Sequence, residues 1–209
     1  MTDDAALQRF LGGRPPRRPG EACELCAAPV ADDHRHVVDL DVRAILCTCR
    51  ACALLFDGDT EQASLRTVPD RYLRIATFTL TPQQRAALQI PVGMAFVVRN
   101  RRLDRTVAFY PSPGGATESE LPLAAWTDVV AANPALEAVA DDVEAVLLHD
   151  GADGDATAHV VPIDRCYELV GLLRLHWHGF DGGQEVRDAI TRFFAEVDAR
   201  ARTVAGGRP

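Results

Sequence analysis

The chain has 209 residues and a formal net charge of −8, with 47% hydrophobic and 25% charged residues. These values are typical of a soluble globular protein, and the length suits one ordinary domain plus a small appendage. No apolar run approaches the roughly 18 residues of a membrane span. An acidic chain repels phosphate backbones, and the short run of Arg14, Arg17 and Arg18 among prolines is a poor basic face. We therefore expect no membrane span and no nucleic-acid partner.

All 22 basic residues are arginine, because the sequence contains no lysine. Pyridoxal-phosphate enzymes, Schiff-base aldolases and P-loop nucleotide hydrolases each use a lysine for a defined chemical step. The composition excludes these three classes.

Residues 1–20 predict a short helix followed by a linker. Leu7, Phe10 and Leu11 recur at helical spacing, and the prolines of residues 14–20 favour an extended, semi-rigid segment. The acidic amino terminus lacks the layout of a signal peptide, so we expect a cytoplasmic protein. Thiols stay reduced in that compartment, where clustered cysteines indicate metal binding and not disulfides.

Two clusters of cysteines are the clearest functional signal in the sequence. Cys23 and Cys26 form one Cys-x-x-Cys knuckle, and Cys49 and Cys52 form a second. The two-residue spacer lets both sulfurs of a knuckle face one tetrahedral ion while backbone N–H groups point at them. The spacing predicts a four-sulfur structural site for Zn²⁺, with Fe as the alternative metal.

Cys47 is a fifth cysteine beside the second knuckle. Cys47 and Cys49 could form an alternative pair of ligands. On a strand these two residues face the same side, so Cys47 could also lie next to the metal without binding it. The sequence leaves three roles open for Cys47: a substitute ligand, a reactive thiol beside the ligands, and a small buried residue.

Residues 21–60 predict a small β module around these cysteines. The segment 36–46 reads as two strands joined by a turn near Asp41, and Ala53–Phe56 reads as a third strand. Two knuckles on a small sheet are the layout of a zinc-ribbon or rubredoxin-like module. Such a module is too small to fold on apolar burial alone.

Other motifs favour structural interpretations. His34 and His36 superficially suggest an HNH nuclease, but residues 57–68 lack the further Asn and His ligands, so a surface pair is expected. His176 and His178 diverge by about 200 degrees on a helix, which disfavours chelation. The Pro-Gly-Gly segment of residues 111–117 could present N–H groups to an anion, but it more simply forms a loop.

Residues 68–203 predict an α+β body of antiparallel strands packed by helices on one side, followed by a flexible tail of residues 204–209. The expected strands are 72–80, 94–99, 106–110, 143–149 and 157–163, with 94–99 and 106–110 forming a hairpin. The expected helices begin at Pro82 with Thr81 as its cap, near Pro122, at Asp164 as N-cap and at Gln184, and the third of these should bury Cys166.

Several strings of this sequence resemble those of a known family. They are Cys23-Glu-Leu-Cys26, His34-Arg-His36, the segments 46–56, 87–93 and 110–119, and Val161-Pro-Ile-Asp-Arg-Cys-Tyr167. Together they resemble an uncharacterised family of actinobacterial proteins whose genes often lie beside those of uptake NiFe hydrogenases. The resemblance spans residues 20–200 and implies a role in making, assembling or serving such a hydrogenase, with its subunits or maturation factors as partners.

Three functional hypotheses follow. The leading one is a non-catalytic, metal-binding accessory protein that presents a protein-binding surface. The second is rubredoxin-like electron transfer with Fe at the four sulfurs. The third is an enzyme with a site between the β module and the body, involving Tyr110, Cys47 and the segment 111–117.

Overall fold

The computed structural model of the chain describes residues 22–58, 63–88, 93–119, 123–150, 155–179 and 182–204. The predicted helix and linker of residues 1–20 lie outside the described residues, as does the predicted tail apart from Val204. The chain divides after Thr67 into two compact units.

The described residues of the first unit form a three-stranded antiparallel sheet and one short helix. Strands β1 (Arg35–Asp39) and β2 (Ala44–Thr48) form a hairpin, and β3 (Leu65–Thr67) pairs with the other edge of β1. The turn forms because the Asp39 carboxylate accepts hydrogen bonds from the backbone N–H groups of residues 41 and 42. The predicted hairpin and its turn are therefore confirmed.

The predicted strand Ala53–Phe56 is wrong. The chain instead forms helix α1 (Arg50–Leu54), and the third strand is β3, which begins after ten intervening residues. The sequence Arg-Ala-Cys-Ala-Leu contains strong helix formers and no β-branched residue. Cys49 provides the start, since it has extended backbone geometry and its sulfur accepts a hydrogen bond from the Cys52 N–H.

The second unit is built on a seven-stranded sheet of order β10-β4-β9-β8-β5-β6-β7. All neighbours are antiparallel except β10 and β4, which are parallel. The strands are β4 (Leu73–Ile75), β5 (Met94–Asn100), β6 (Arg105–Ser112), β7 (Gly115–Ser119), β8 (Glu144–Asp150), β9 (Ala156–Pro162) and β10 (Arg202–Val204). The helices are α2 (Pro82–Leu88), α3 (Leu123–Ala132), the 3-10 turn Pro134–Ala138, α4 (Ile163–His176) and α5 (Gly183–Arg200).

One face of this sheet packs against α2 and α3. Val97, Val146 and Val160 lie on adjacent strands in the hydrophobic core together with Leu88 of α2 and Val129 of α3. Alternation along a strand sends the neighbouring residues to the opposite face.

That opposite face packs against α4 and α5. The ring of Phe96 meets Tyr167 of α4 at 6.0 Å between centroids, and His159 Nε2 lies 2.8 Å from the Asp198 carboxylate of α5. Helices therefore cover both faces of the sheet, and the prediction of helices on one side is wrong. The α+β class is confirmed.

The predicted strand 72–80 is reduced to Leu73–Ile75. The side-chain amide of Asn133 accepts from the Thr79 N–H at 2.8 Å and donates to the Thr79 carbonyl at 2.9 Å. Because a side chain satisfies both backbone groups of Thr79, this segment leaves the sheet. The capping of α2 by Thr81 is as predicted, whereas α4 begins after Pro162 and Asp164 lies in its first turn.

Candidate metal centre

The first knuckle is a tight turn closed by backbone hydrogen bonds. The Cys23 N–H donates to the Ala28 carbonyl, and the Ala27 N–H donates to the Cys23 carbonyl, both at 2.7 Å. Ala27 has a left-handed backbone with φ of 62°. This turn directs the sulfurs of Cys23 and Cys26 to the same side.

The second pair of sulfurs comes from a helix start and not from a second β knuckle. Cys49 is the N-cap of α1, and Cys52 lies in the first turn of that helix. Strand β2 ends one residue earlier, at Thr48, whose side chain is fully buried and donates to the Arg35 carbonyl. The hairpin thus delivers the start of α1 to the first knuckle. The predicted β ribbon is replaced by a knuckle, a hairpin and a helix.

These two segments bring four sulfurs together. The sulfur atoms of Cys23, Cys26, Cys49 and Cys52 all lie within 4.8 Å of one another, and Cys26 Sγ is 3.7 Å from Cys49 Sγ. Four thiolates at about 2.3 Å from a tetrahedral ion are about 3.8 Å apart. The spacing therefore fits one ion in the middle, and the cluster could hold a metal.

The electrostatics of the cluster are uneven. Burial acts to raise the pKa of Cys23, but backbone N–H groups of Cys49, Cys26 and Leu25 donate to its sulfur and lower this pKa to about 6. A hydrogen bond with the Cys26 sulfur, together with burial, raises the pKa of Cys52 to about 12. The sulfurs of Cys26, Cys49 and Cys23 all act to raise the pKa of Cys52, and a divalent cation bound among them would oppose that effect.

Cys47 does not belong to the four-sulfur group. It lies on β2 directly opposite His36, and its sulfur lies within 4.8 Å of ligand nitrogens of His34 and His36. The sequence pairs His34 with His36 but does not link them to Cys47, because the register that joins the three is visible only in the folded hairpin. The i, i+2 spacing of the two histidines was the one available signal.

The remaining singled-out residues are in structural positions. Cys166 is fully buried on α4, and burial raises its pKa well above the ordinary value. His176 Nδ1 lies 3.1 Å from a carboxylate oxygen of Glu185, and His178 Nε2 lies 4.0 Å from its other oxygen. The two histidines thus share an acidic neighbour on α5.

The Pro-Gly-Gly segment forms a β-hairpin between β6 and β7. Ser112 pairs with Gly115 across the turn, and its hydroxyl donates to the Gly115 carbonyl at 2.9 Å. Tyr110 pairs with Thr117 in the same ladder. The ladder occupies the backbone groups of this segment, so its geometry is that of a turn and not of an anion-binding loop.

An open cleft of about 390 Å³ lies at the β4 edge of the second unit, lined by Asp70, Arg71, Tyr72, Leu73, Arg200 and Arg202. Three of its four charged groups are engaged within the unit, because Arg71 binds Glu144, while Arg200 binds Asp70 and stacks on Tyr72. The described residues of this cleft include no nucleophile paired with a base.

Fold and site together define a class of protein: an α+β chain with a four-cysteine cluster that could hold a metal in its first unit. The described helices include none that is long and apolar enough to cross a membrane. Residues 22–201 match a sequence family described as a family of unknown function, DUF5947, and the chain belongs to this family. No curated protein and no solved structure matches the chain.

Proposed function

We propose that this chain is a non-catalytic metal-binding accessory protein in which Cys23, Cys26, Cys49 and Cys52 hold one structural Zn²⁺. The observation that carries the proposal is the convergence of four sulfurs from two separate segments, at spacings that suit a tetrahedral ion. Four protein ligands leave no open position on zinc. That coordination is typical of a structural ion and not of a catalytic one.

The size of the first unit supports a structural role for the ion. Its strands have five, five and three residues, and its helix has five. Elements this short bury little apolar surface, and domains of this size usually need a metal or disulfides. Zinc in isolated zinc-finger peptides supplies about 10–16 kcal/mol of folding free energy.

Exposed leucines next to the cluster support a protein-binding role. Leu25 lies inside the first knuckle, and Leu54 and Leu55 lie at the end of α1, with 39%, 61% and 76% of their surfaces exposed. Clusters of large apolar side chains exposed to solvent often mark a surface that a protein partner covers. The metal would hold these leucines in place, because Leu25 immediately precedes Cys26 and because Leu54 and Leu55 closely follow Cys52.

The partner that we propose is a NiFe hydrogenase subunit or one of its maturation factors, in the cytoplasm. This step rests on the resemblance of the cysteine, histidine and Pro-Gly-Gly strings described above. It is tested by deleting the gene in a host that carries such a hydrogenase and measuring hydrogen uptake. Complementation by wild type but not by Cys26→Ser supports the role, and unchanged uptake in the deletion strain overturns it.

A second candidate function is electron transfer with Fe at the same four sulfurs. The exposure of Cys26 favours it, because an electron-transfer centre needs at least one ligand near the surface. A red protein with thiolate-to-iron absorption bands would establish this alternative. A colourless protein with stoichiometric zinc excludes it.

The decisive experiment is elemental analysis with a visible spectrum on protein purified without added metal. Wild type should carry at least one equivalent of zinc, and Cys26→Ser and Cys52→Ser should each lose it. Cys166→Ala is the matched control, since Cys166 is a buried cysteine of the second unit. Metal-free wild type with an intact first unit contradicts the proposal.

A further inference from the structure

A second group of potential ligands lies on the β1–β2 hairpin. His36 and Cys47 are directly opposite each other in the register, and His34 precedes His36 by two residues, which places it on the same side. The rings of His34 and His36 have centroids 4.7 Å apart. One ligand atom from each of the three residues lies within 4.8 Å of the other two.

The hydrogen bonds of His34 define which of its nitrogens is available. Nδ1 lies 2.9 Å from the Ala31 carbonyl oxygen and 3.2 Å from the Asp32 carbonyl oxygen. Carbonyl oxygens only accept hydrogen bonds, so Nδ1 carries a proton, and in the neutral ring Nε2 then keeps its lone pair. Histidines that bind metals characteristically donate their other ring N–H to a backbone carbonyl or a carboxylate in this way.

The Nε2 atom of His34 is buried and has no hydrogen-bond partner among the described residues. Buried polar atoms in folded proteins are nearly always satisfied, and an exception calls for a missing ion or water. This orphaned lone pair is a second observation, independent of the proximity of the three side chains. It points to a cation bound at Nε2.

Cys47 is held firmly in position by the first knuckle. Its backbone N–H donates to a carboxylate oxygen of Glu24 at 2.6 Å, and its carbonyl accepts from the Glu24 N–H at 2.9 Å. Both ends of the Cys47 peptide are therefore fixed. Rigid backbone around a ligand preorganises a metal site.

We propose that His34, His36 and Cys47 form a second metal site that binds Zn²⁺ with an open coordination position. Two imidazoles and one thiolate suit zinc, whereas Mg²⁺ and Ca²⁺ prefer oxygen ligands. Three protein ligands with the fourth position left to water or an incoming group are typical of reactive and exchangeable zinc sites. Binding would release the thiol proton of Cys47 to solvent.

This site goes beyond the proposed function, because it uses none of the four sulfurs of the structural site. All three side chains are partly exposed, so an incoming ligand can reach the open position. The two sites therefore differ in kind: one closed by four thiolates, and the other open to exchange.

Zinc titration of the metal-depleted full-length chain, followed with a chromophoric chelator, tests the proposal. Wild type should bind two equivalents, and Cys47→Ser and His34→Gln should each bind one, or bind the second at least tenfold more weakly. His178→Gln is the matched control and should still bind two, because His178 lies outside both groups. A wild type that binds one equivalent, or a Cys47→Ser variant that binds two as tightly as wild type, overturns the second site.

The two proposals can fail separately. A single equivalent that Cys26→Ser removes and Cys47→Ser leaves in place would support the structural site and overturn the second one. If the variants fold poorly, the wild type alone gives the answer through the side-chain ¹⁵N NMR signals of its histidines. The second equivalent of zinc should shift the His34 Nε2 resonance and leave the His178 ring unchanged, and an unmoved His34 signal would overturn the proposal.

Discussion

Arg71 holds the carboxylate of Glu144 inside the second unit. Its Nε donates to Glu144 Oε1 at 2.7 Å, a second guanidinium nitrogen donates to Oε2, and the Ala140 N–H donates to Oε2 at 2.8 Å. The Glu144 side chain has no exposed surface, whereas 40% of the Arg71 side chain remains exposed. The pair joins the segment before β4 to the start of β8, across 73 positions of sequence.

Arg71→Ala should destabilise the protein by about 2–3 kcal/mol, because it leaves a buried carboxylate without its charged partner. The measurement is urea unfolding at pH 7, followed by far-UV circular dichroism. Arg105→Ala is the control and should cost less than about 1 kcal/mol, since Arg105 and its partner Glu118 are both about half exposed. Equal losses in the two variants would show that burial of Glu144 does not matter.

Ala27→Gly should stabilise the metal-loaded first unit by about 0.5–1 kcal/mol. Ala27 has a left-handed backbone, which costs an L-residue about 1–2 kcal/mol. Glycine removes this strain from the folded state, but part of the gain is lost because glycine also gives the unfolded chain more conformational entropy. The readout is the urea midpoint of the metal-loaded protein at constant slope. Ala28→Gly is the control at the adjacent residue and should be destabilising, since the φ angle of Ala28 is not positive. A lower urea midpoint for Ala27→Gly than for wild type would contradict the strain argument.

His159 should make the fold less stable in mild acid. Burial lowers its pKa, against the opposing effect of the Asp198 carboxylate and with a smaller contribution from Arg74. Below the unfolded pKa of about 6.5, the unfolded chain then binds more protons than the folded one. The contribution of neutral His159 to the folding free energy is therefore complete above this pH and decreases as the pH falls below it. The slope contributed by one such group is at most about 1.4 kcal/mol per pH unit.

The pH effect is measured as the difference in unfolding free energy between pH 7.5 and pH 5.5. His159→Gln should make this difference smaller, whatever it does to stability at pH 7.5. Burial also lowers the pKa of His149, so part of the slope should persist in the variant. An unaltered pH difference in His159→Gln would rule out the assignment to His159.

A strong chelator should unfold the first unit selectively. The second unit has its own core, whose buried residues come from five strands, from helices α2 and α3 and from the 3-10 turn, and which includes none of the four cysteines. We expect hydrogen exchange of β1 and β2 to accelerate after metal removal, while β8 and β9 stay protected. Loss of protection in all four strands, or in none, would contradict a structural ion confined to the first unit.

Much of the fold follows from local sequence patterns. Two apolar, β-rich runs, 94–99 and 106–110, flank a charged turn and predict the β5–β6 hairpin. Thr81 followed by Pro82 predicts the start of α2. Both signals depend on neighbours in the chain. The strand predicted at Ala53–Phe56 failed because four apolar residues fit a strand and a helix turn equally well. The bond between Asn133 and Thr79, which shortens β4, joins residues 54 positions apart and has no local signal.

The sequence by itself predicted which four cysteines come together in the candidate metal centre, since Cys-x-x-Cys spacing is a local property of the backbone. It also determined the α+β class and the burial of Cys166, through periodicity. Only the tertiary structure decided the place of Cys47. The alternation of side chains predicts which side of a strand a residue faces. The register of β1 against β2 places Cys47 opposite His36 and outside the four-sulfur cluster. Register depends on the turn and on packing across the sheet, and these contacts exist only in the folded hairpin.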